Sequence, residues 1–155
     1  MAALWWMWLI SYPGVFHCYV NICETTTCEA MQSSIRNGLS AEKVIDGNIE
    51  QNENKCSHTA VNKTEPAWVM VDLGKEYQLN NVIIYYRDEG NLQTAWKPYR
   101  FRQYGIEVSN TSHAKQWTLC YKDNTTDGIT PSSMQNISCE KATRYIRIIT
   151  TYDAP

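Results

Sequence analysis

The sequence contains no motif typical of an enzyme or of a nucleic-acid-binding protein. It has no Gly-x-Ser-x-Gly elbow, no phosphate-binding glycine loop and no zinc-binding spacing of cysteines and histidines. It also has no two clearly placed carboxylates of the kind that a glycosidase requires. The formal net charge is -2 and the 14 lysines and arginines are scattered, so no basic face for nucleic acid is expected. We therefore predict a binding module and no enzyme activity.

Helical periodicity is also absent, since no stretch after the first 20 residues repeats its apolar positions every 3.6 residues. Short alternating or apolar runs separated by turn residues occur instead, which is typical of an all-β protein. A chain of 155 residues suits one domain with a sizeable core. The runs lie at 68–73, 82–86, 104–108, 116–121 and 144–150, with a short helical turn expected at 41–44.

Alternation within two of these runs predicts which side chains are buried. Ile106 and Val108 should face the core, while Glu107 between them should face the solvent. By the same rule, Arg147 should point into the solvent from the last run. Strands of this kind close into a sandwich of two sheets.

The N-terminal segment predicts export. Its first charged side chain is Glu24, and the residues before it include the apolar run 3–10. This run is too short to span a bilayer, which takes about 20 apolar residues, but it fits the apolar region of a secretory leader. We predict a cleaved leader over residues 1–20, although no Lys or Arg precedes the run. A retained anchor and a wrongly assigned start codon are the alternatives.

Four N-glycosylation sequons agree with export. They begin at Asn62, Asn110, Asn124 and Asn136, and each falls in a polar segment between predicted strands. A bulky glycan could be carried there. The sequons indicate a secreted glycoprotein, or the extracellular part of a larger plasma-membrane receptor, without revealing what it does.

Six cysteines in an exported chain predict disulfide bonds and not a metal or redox site. Cys120 and Cys139 flank a polar loop and each adjoins a strand-like run, so we predict a bond between them. If Cys18 leaves with the leader, five cysteines remain. Cys56 is then expected to be the one outside any disulfide. The other pairings stay open.

One histidine and one arginine are candidates for ligand binding. His58 follows Cys56 closely, and Arg87 ends the apolar run 82–86. A neutral imidazole and a forked guanidinium supply directional donors and acceptors that suit neighbouring sugar hydroxyls. The plain alternatives are a surface loop histidine and a solvated strand end.

A set of short motifs is spread over the chain from Cys28 to its end. They are Ser33-Ser34, 41–48 with its Asp46-Gly47-Asn48 turn, Cys56-Ser57-His58-Thr59, Pro66-Ala67-Trp68, Val71-Asp72-Leu73-Gly74, Tyr85-Tyr86-Arg87, 104–108 and 144–148. Together they resemble an F-type lectin (fucolectin) domain, and more loosely the fucolectin-like ectodomains of some invertebrate receptors with epidermal-growth-factor-like repeats. Several also occur in the related discoidin (coagulation factor type C) modules, whereas Cys-Ser-His-Thr favours the fucolectins. The resemblance implies a jelly-roll β-sandwich, galactose-binding-domain-like, over residues 28–155.

The resemblance implies a sugar pocket formed by a histidine, two arginines and an acidic residue. On this sequence these roles fall to His58, Arg87, Arg100 and Glu89. Glu89 stands where the family has an aspartate. Arg100 is assigned because Phe101 matches the family's apolar residue before the next strand. Lys97 and Arg102 compete with it for the role.

A structural calcium ion is also implied by the resemblance. Its ligands would be the Lys43 carbonyl, Asp46 and Asn48, since hard cations take oxygen ligands. The plain reading of Asp46-Gly47-Asn48 is a simple turn. The family closes this site with a glutamate on a final C-terminal strand, and the sequence ends at Pro155 without one. We therefore expect an incomplete calcium site and a sandwich that lacks its last strand.

These expectations together predict a lectin module that recognises fucose or a related sugar on fucosylated glycans or glycoproteins. Calcium would be a structural ion. The alternative is a discoidin-like adhesion module that binds a protein or a phospholipid surface through exposed aromatic residues at its loop tips. Either could act as a homo-oligomer.

Overall fold

The computed structural model describes residues 21–60, 65–88, 101–112, 117–126, 129 and 131–150. The predicted leader and the Asn62 sequon lie outside this part of the chain. Within the described ranges, no helix has the length and apolar character needed to cross a lipid bilayer.

The described chain is built mainly of β-strands, as predicted. The strands are β1 (Glu29–Gln32), β2 (Ala67–Gln78), β3 (Asn81–Tyr85), β4 (Tyr104–Ser109), β5 (Thr118–Lys122), β6 (Met134–Ser138) and β7 (Ala142–Thr150). The helical segments are one turn of α-helix, α1 (Ile22–Thr25), and two 3-10 turns at Ala41–Val44 and Glu53–Lys55. The first 3-10 turn confirms the expected helical turn.

Two strands, β1 and β6, have no counterpart among the predicted runs. The β1 sequence Glu-Ala-Met-Gln contains no β-branched residue, and β6 contains a single isoleucine. Pairing with β2 and β3 therefore stabilises β1 and β6 as strands, because β-propensity mostly reflects packing against neighbouring strands. Since β6 carries Asn136, this sequon lies within a strand and not between strands.

The strands form two antiparallel sheets. The larger sheet has five strands in the order β1-β2-β7-β4-β5, and the smaller pairs β3 with β6. Val82 of β3 and Ile146 of β7 pack against both buried apolar clusters, so the two sheets share one core. The arrangement is an all-β sandwich, which agrees with the predicted fold class.

The predicted disulfide between Cys120 and Cys139 is present in the structure. Cys120 lies on β5 of the large sheet and Cys139 directly follows β6 of the small sheet, so the bond joins the two layers. A second disulfide links Cys23 in α1 to Cys28 just before β1. Cys56 belongs to neither bond. The Cys120–Cys139 bond closes a loop with a sequence separation of 19, and a disulfide with a loop of that order stabilises a fold by about 3 kcal/mol.

An ion pair connects two of the motifs noted in the sequence. Arg144 Nε and Nη2 donate to Asp72 Oδ1 and Oδ2, each over 2.8 Å. Gly74, at φ +79°, also donates its N–H to Asp72 Oδ1 over 2.8 Å. The hydrogen bond from Arg144 is the main cause that lowers the pKa of Asp72. Asp72 therefore holds β2 to β7 as a buried carboxylate.

Ile106 and Val108 are buried as expected, and Glu107 and Arg147 lie on the face opposite the core, as alternation predicts. The prediction that Glu107 and Arg147 are exposed to the solvent there is wrong. Glu107 and Arg147 are neighbours across β4 and β7, and Arg147 Nε donates to Glu107 Oε2 over 3.0 Å. The Arg147 guanidinium lies 4.2 Å from the centre of the Trp117 ring. The Arg147 side chain is only 16% exposed and the Glu107 side chain 22%, because the pair lies within the sheet face next to Trp117.

Candidate functional site

The backbone of His58 is fixed by the segment that follows β1. The His58 N–H donates to the Leu39 carbonyl over 2.9 Å, and the Arg36 N–H donates to the His58 carbonyl over the same distance. The Gln32 side chain, at the end of β1, donates to the His58 carbonyl over 3.1 Å. Since these contacts come from several positions, the loop that carries His58 is an ordered part of the sandwich edge.

The His58 ring has one defined hydrogen bond. Its Nδ1 lies 2.8 Å from the Thr59 carbonyl oxygen. A carbonyl can only accept, so Nδ1 carries the proton and donates it. In a neutral imidazole the other nitrogen, Nε2, is then an acceptor. The half-buried His58 ring can therefore accept a hydrogen from a ligand hydroxyl.

Arg87 follows β3 and reaches the loop that leads to His58. Its Nη2 lies 2.8 Å from Glu53 Oε2. The Arg87 side chain is 12% exposed and the Glu53 side chain 38%. Glu53 begins the 3-10 turn Glu53–Lys55, which is followed by Cys56, Ser57 and His58. The ion pair thus joins the strand end that holds Arg87 to the segment that holds His58.

Gln51 makes a second connection between this loop and the small sheet. Its Nε2 donates to the Tyr86 and Ser133 carbonyls, each over 2.8 Å. The Asp88 N–H donates to the Gln51 carbonyl over 2.7 Å. Backbone on both sides of Arg87 is therefore anchored to one loop residue. This arrangement fixes where the Arg87 side chain begins.

Three aromatic rings continue the site into the core. The rings of Tyr86 and Phe101 stack at a centroid distance of 4.5 Å, and those of Phe101 and Tyr104 at 4.3 Å. Phe101 is buried, which agrees with its predicted place as an apolar residue before a strand. Tyr86 directly precedes Arg87. The stack therefore packs the chain just before Arg87 against the chain just before β4.

Part of the predicted pocket lies outside the described residues, namely Glu89, Arg100 and the competing Lys97. Arg102, the other competitor for the second arginine, is 1% exposed. A side chain with so little surface presents almost nothing to a ligand in this conformation. Of the four predicted sugar-binding residues, the structure therefore describes His58 and Arg87.

The residues expected to hold calcium form a turn at the protein surface. Gly47 has φ +75°, and Asp46 Oδ1 accepts the Asn48 N–H over 2.8 Å. Asn48 Oδ1 accepts the Glu50 N–H over 2.8 Å. The Lys43 ammonium donates to the Asn54 carbonyl over 2.8 Å, so it closes the loop from the other side. These oxygen donors fit a hard cation in kind, although in the described chain no three acidic, His or Cys side chains gather to hold a metal.

Sequence reasoning did not identify Gln32, Gln51 or Glu53 as site residues. Each acts on a residue that is distant in the chain, and each lies in a polar stretch without an informative pattern. The only available signal was the polar run Gln51-Asn52-Glu53-Asn54 just before the Cys-Ser-His-Thr motif. That run is equally typical of an ordinary loop.

A depression near β6 is lined by none of the residues of the His58–Arg87 region. It is open and about 620 Å³ in volume, and its lining includes Tyr121, Asp123 and Gln135. Asp123 is buried, and its carboxylate accepts the Gln103 and Thr125 N–H groups over 2.7 and 3.2 Å. Since this carboxylate already serves the turn after β5, the depression is a less suitable binding site than the His58–Arg87 region.

Comparison with known families and structures gives one match by sequence and several by fold. The family described as F5/F8 type C, NedA-like, galactose-binding domain matches residues 43–148. No curated protein matches the chain. The lectin domain of lectinolysin, solved with Lewis b antigen, is similar at 26% identity and a TM-score of 0.65, over 86% of this chain and 87% of that one.

Two further solved structures share the fold. A fucose-binding module of Streptococcus pneumoniae has 22% identity and a TM-score of 0.66, over 86% of each chain. A fucolectin from striped bass (Morone saxatilis) serum has 23% identity and a TM-score of 0.60, over 79% of this chain and 39% of that one. At these identities the likeness establishes the sandwich architecture alone.

Proposed function

Since the chain belongs to the NedA-like, galactose-binding domain family of the F5/F8 type C group, we propose that it is a lectin module for fucose or a related sugar. One observation carries the proposal. The contact between Arg87 Nη2 and Glu53 Oε2 at 2.8 Å brings the predicted clamp arginine to the loop that presents His58. The similarity to a lectin domain solved with a Lewis b antigen supports a glycan as the ligand.

In the proposed pocket, the two described side chains have complementary roles. His58 Nε2 accepts a hydrogen from one sugar hydroxyl, because Nδ1 donates to the Thr59 carbonyl. The Arg87 guanidinium donates to the oxygens of neighbouring hydroxyls, as its planar fork can address two acceptors together. Such directional bonds fix the orientation of a sugar whose hydroxyls have the matching stereochemistry.

Glu89 and Arg100 complete the proposed pocket. Phe101 follows Arg100 in the sequence and Tyr86 precedes Arg87, and the rings of Phe101 and Tyr86 stack at 4.5 Å. This contact supports Arg100 as a partner of Arg87. The burial of Arg102 also supports Arg100 as the second clamp. Glu89 would orient the arginines as a charged partner.

We also propose calcium as a structural ion, held by the Lys43 carbonyl, Asp46 and Asn48. When bound, it would supply positive charge and cross-link the loop that precedes His58. Addition of calcium to metal-free protein should raise the midpoint of thermal unfolding, and Asp46→Ala should abolish the increase. An equal response in Asp46→Ala would contradict the assignment.

The proposed role is recognition without chemistry. The matched family and the similar structures are named as galactose-binding, lectin or fucose-binding modules. The two disulfides are typical of proteins from oxidising compartments, so we propose that the module acts outside the cell on fucosylated glycans or glycoproteins.

A discoidin-like adhesion function is the second candidate, and exposed apolar side chains favour it. Ile49 is 62% exposed on the turn after Asn48, and Ile35 is 57% exposed on the segment bonded to His58. Apolar residues at loop tips can insert into a lipid surface or contact a protein partner.

A glycan array and lipid vesicles separate the two functions. We expect the protein to bind fucosylated glycans, and His58→Ala to lose about tenfold to a hundredfold in affinity, because one directed bond contributes about 1–3 kcal/mol. Lys141→Ala, at an exposed position away from the loop, is the matched control. Vesicle binding that is lost in Ile49→Ser but kept in His58→Ala would support the adhesion function instead.

A further inference from the structure

The outer face of the small sheet carries three exposed apolar side chains. Ile83, Tyr85 and Met134 are 53%, 41% and 48% exposed. They share one face because burial alternates along both strands and Tyr85 pairs directly with Met134. Because these side chains adjoin, they form an apolar surface that another group can cover.

Asn136 lies within this apolar patch. It pairs directly with Ile83 in the β3–β6 register and belongs to the sequon Asn136-Ile137-Ser138. Asn136 is exposed while Ile137 is buried, so alternation directs the acceptor residue away from the core. Asn81 Nδ2 donates to Asn136 Oδ1 over 2.8 Å. The amide is thereby held through its oxygen, and among described residues its nitrogen donates no hydrogen bond.

The other described sequons have different surroundings. Both amide atoms of Asn110 are engaged, since Nδ2 donates to Glu76 and Oδ1 accepts the Arg144 N–H over 2.9 Å. Asn124 is exposed between Asp123 and Thr125, whose side chains bond each other. Of the described sequons, that of Asn136 combines an oriented, exposed amide with a neighbouring apolar patch.

We propose that Asn136 carries an N-linked glycan whose first sugar covers the apolar patch of Ile83, Tyr85 and Met134. The donor is a polyprenyl-diphosphate-linked oligosaccharide of the secretory pathway. Asn136 Nδ2 forms a bond to the anomeric carbon of the reducing-end N-acetylglucosamine and loses a proton. The bond from that carbon to the diphosphate oxygen breaks, and the polyprenyl diphosphate leaves with the electron pair.

The strand geometry places the patch within reach of one sugar. Directly paired residues have Cβ atoms about 5 Å apart and diagonal neighbours about 7–8 Å apart, so Ile83 and Tyr85 both lie close to Asn136. The apolar side of a pyranose ring packs well on an aromatic face, which Tyr85 supplies. A glycan at this position would also keep a flat protein partner from the sheet. The proposal depends on export and not on the sugar specificity of the domain.

The test uses the full chain secreted from cultured animal cells. Peptide mass spectrometry after peptide N-glycosidase treatment should find Asn136 converted to Asp in most molecules. Ser138→Ala removes the sequon but keeps Asn136 and its bond to Asn81. We expect this variant to bind at least about twofold more apolar dye and to self-associate in sedimentation, because the patch is uncovered. Thr126→Ala, which removes the Asn124 sequon, should behave like the parent.

Adding Ile83→Thr to Ser138→Ala separates patch exposure from misfolding. If the patch causes the effect, the double variant should return to the dye binding and monomeric state of the parent. An unmodified Asn136 overturns the proposal, as does unchanged dye binding and association in Ser138→Ala. Self-association of the glycosylated parent that Ile83→Thr abolishes would also overturn it, since a second copy would then cover the face.

Discussion

Arg87 Nη2 and Glu53 Oε2 form an ion pair at 2.8 Å. This contact joins the start of a 3-10 turn to the residue two positions after β3. The arginine is the more buried partner, at 12% exposure against 38%. A carboxylate 2.8 Å from one guanidinium nitrogen restrains that end of the group, so we infer that Glu53 helps to orient Arg87.

The first prediction concerns Glu53 as a positioning residue. Glu53→Ala should weaken glycan binding by about tenfold, because a charge-assisted hydrogen bond contributes about 1.5–3 kcal/mol and part of it orients Arg87. Glu53→Gln keeps an acceptor oxygen and should retain most of the affinity. Isothermal titration with fucose measures both variants. Tighter binding by Glu53→Ala would show that Glu53 competes with the sugar for Arg87.

Arg87→Lys tests whether the fork or only its charge is needed. A lysine presents a point charge and cannot make two parallel bonds, so Arg87→Lys should fail almost as badly as Arg87→Ala. Arg100→Lys should behave in the same way if Arg100 is the second clamp. Lysine variants that bind like the parent would place the pocket elsewhere. Arg102→Ala is unsuitable as a competitor test, since loss of a buried side chain perturbs the fold itself.

Asp72 predicts a pH dependence of stability. Its pKa is lowered in the folded protein, chiefly by the hydrogen bond from Arg144. The ionised carboxylate therefore contributes its full stabilisation above the unfolded pKa of about 3.9, and this is lost as pH falls through the lower folded pKa. Asp72→Asn should cost about 2 kcal/mol at neutral pH and flatten the loss of stability below about pH 4.

Urea unfolding between neutral pH and pH 2 measures this effect. Glu140→Gln, which alters an exposed carboxylate, is the control and should follow the parent curve. If Asp72→Asn and the parent lose stability in parallel below pH 4, the ion pair does not link folding to protonation in this range.

Local patterns in the sequence predict strands with strong alternation, such as β4, where Ile106 and Val108 are buried. They also predict the Cys120–Cys139 bond, because both cysteines adjoin such strands. The sequence does not predict β1 and β6, because pairing with neighbouring strands, and not the propensity of their own residues, stabilises them. Glu53 escapes for a similar reason, since its partner Arg87 is distant in the chain and the segment between carries no sign of the contact.

The buried state of Arg147 escapes prediction as well, and it leads to the last prediction. Alternation correctly places Arg147 on the face opposite the core, but it cannot show that Trp117 lies 4.2 Å from the guanidinium or that Glu107 accepts its Nε–H. An exposed arginine would tolerate lysine, because isolated surface charges contribute little. Here the planar group both stacks and bonds, so Arg147→Lys should destabilise the fold by about 1–2 kcal/mol.

A comparison of Arg147→Lys with Arg87→Lys separates an effect on stability alone from an effect on binding. Arg147→Lys should lower the urea midpoint and leave fucose affinity unchanged, since it lies on the outer face of the large sheet. Arg87→Lys should lose affinity, and because Arg87 is ion-paired and only 12% exposed, we expect its midpoint to fall as well. A double-mutant cycle with Glu107→Gln should then show coupling of about 0.5–1 kcal/mol or more, because neighbouring charges in one cluster are not additive. Additive effects, or an unchanged midpoint in Arg147→Lys, would show that the stacked pair adds nothing to the stability of the sheet.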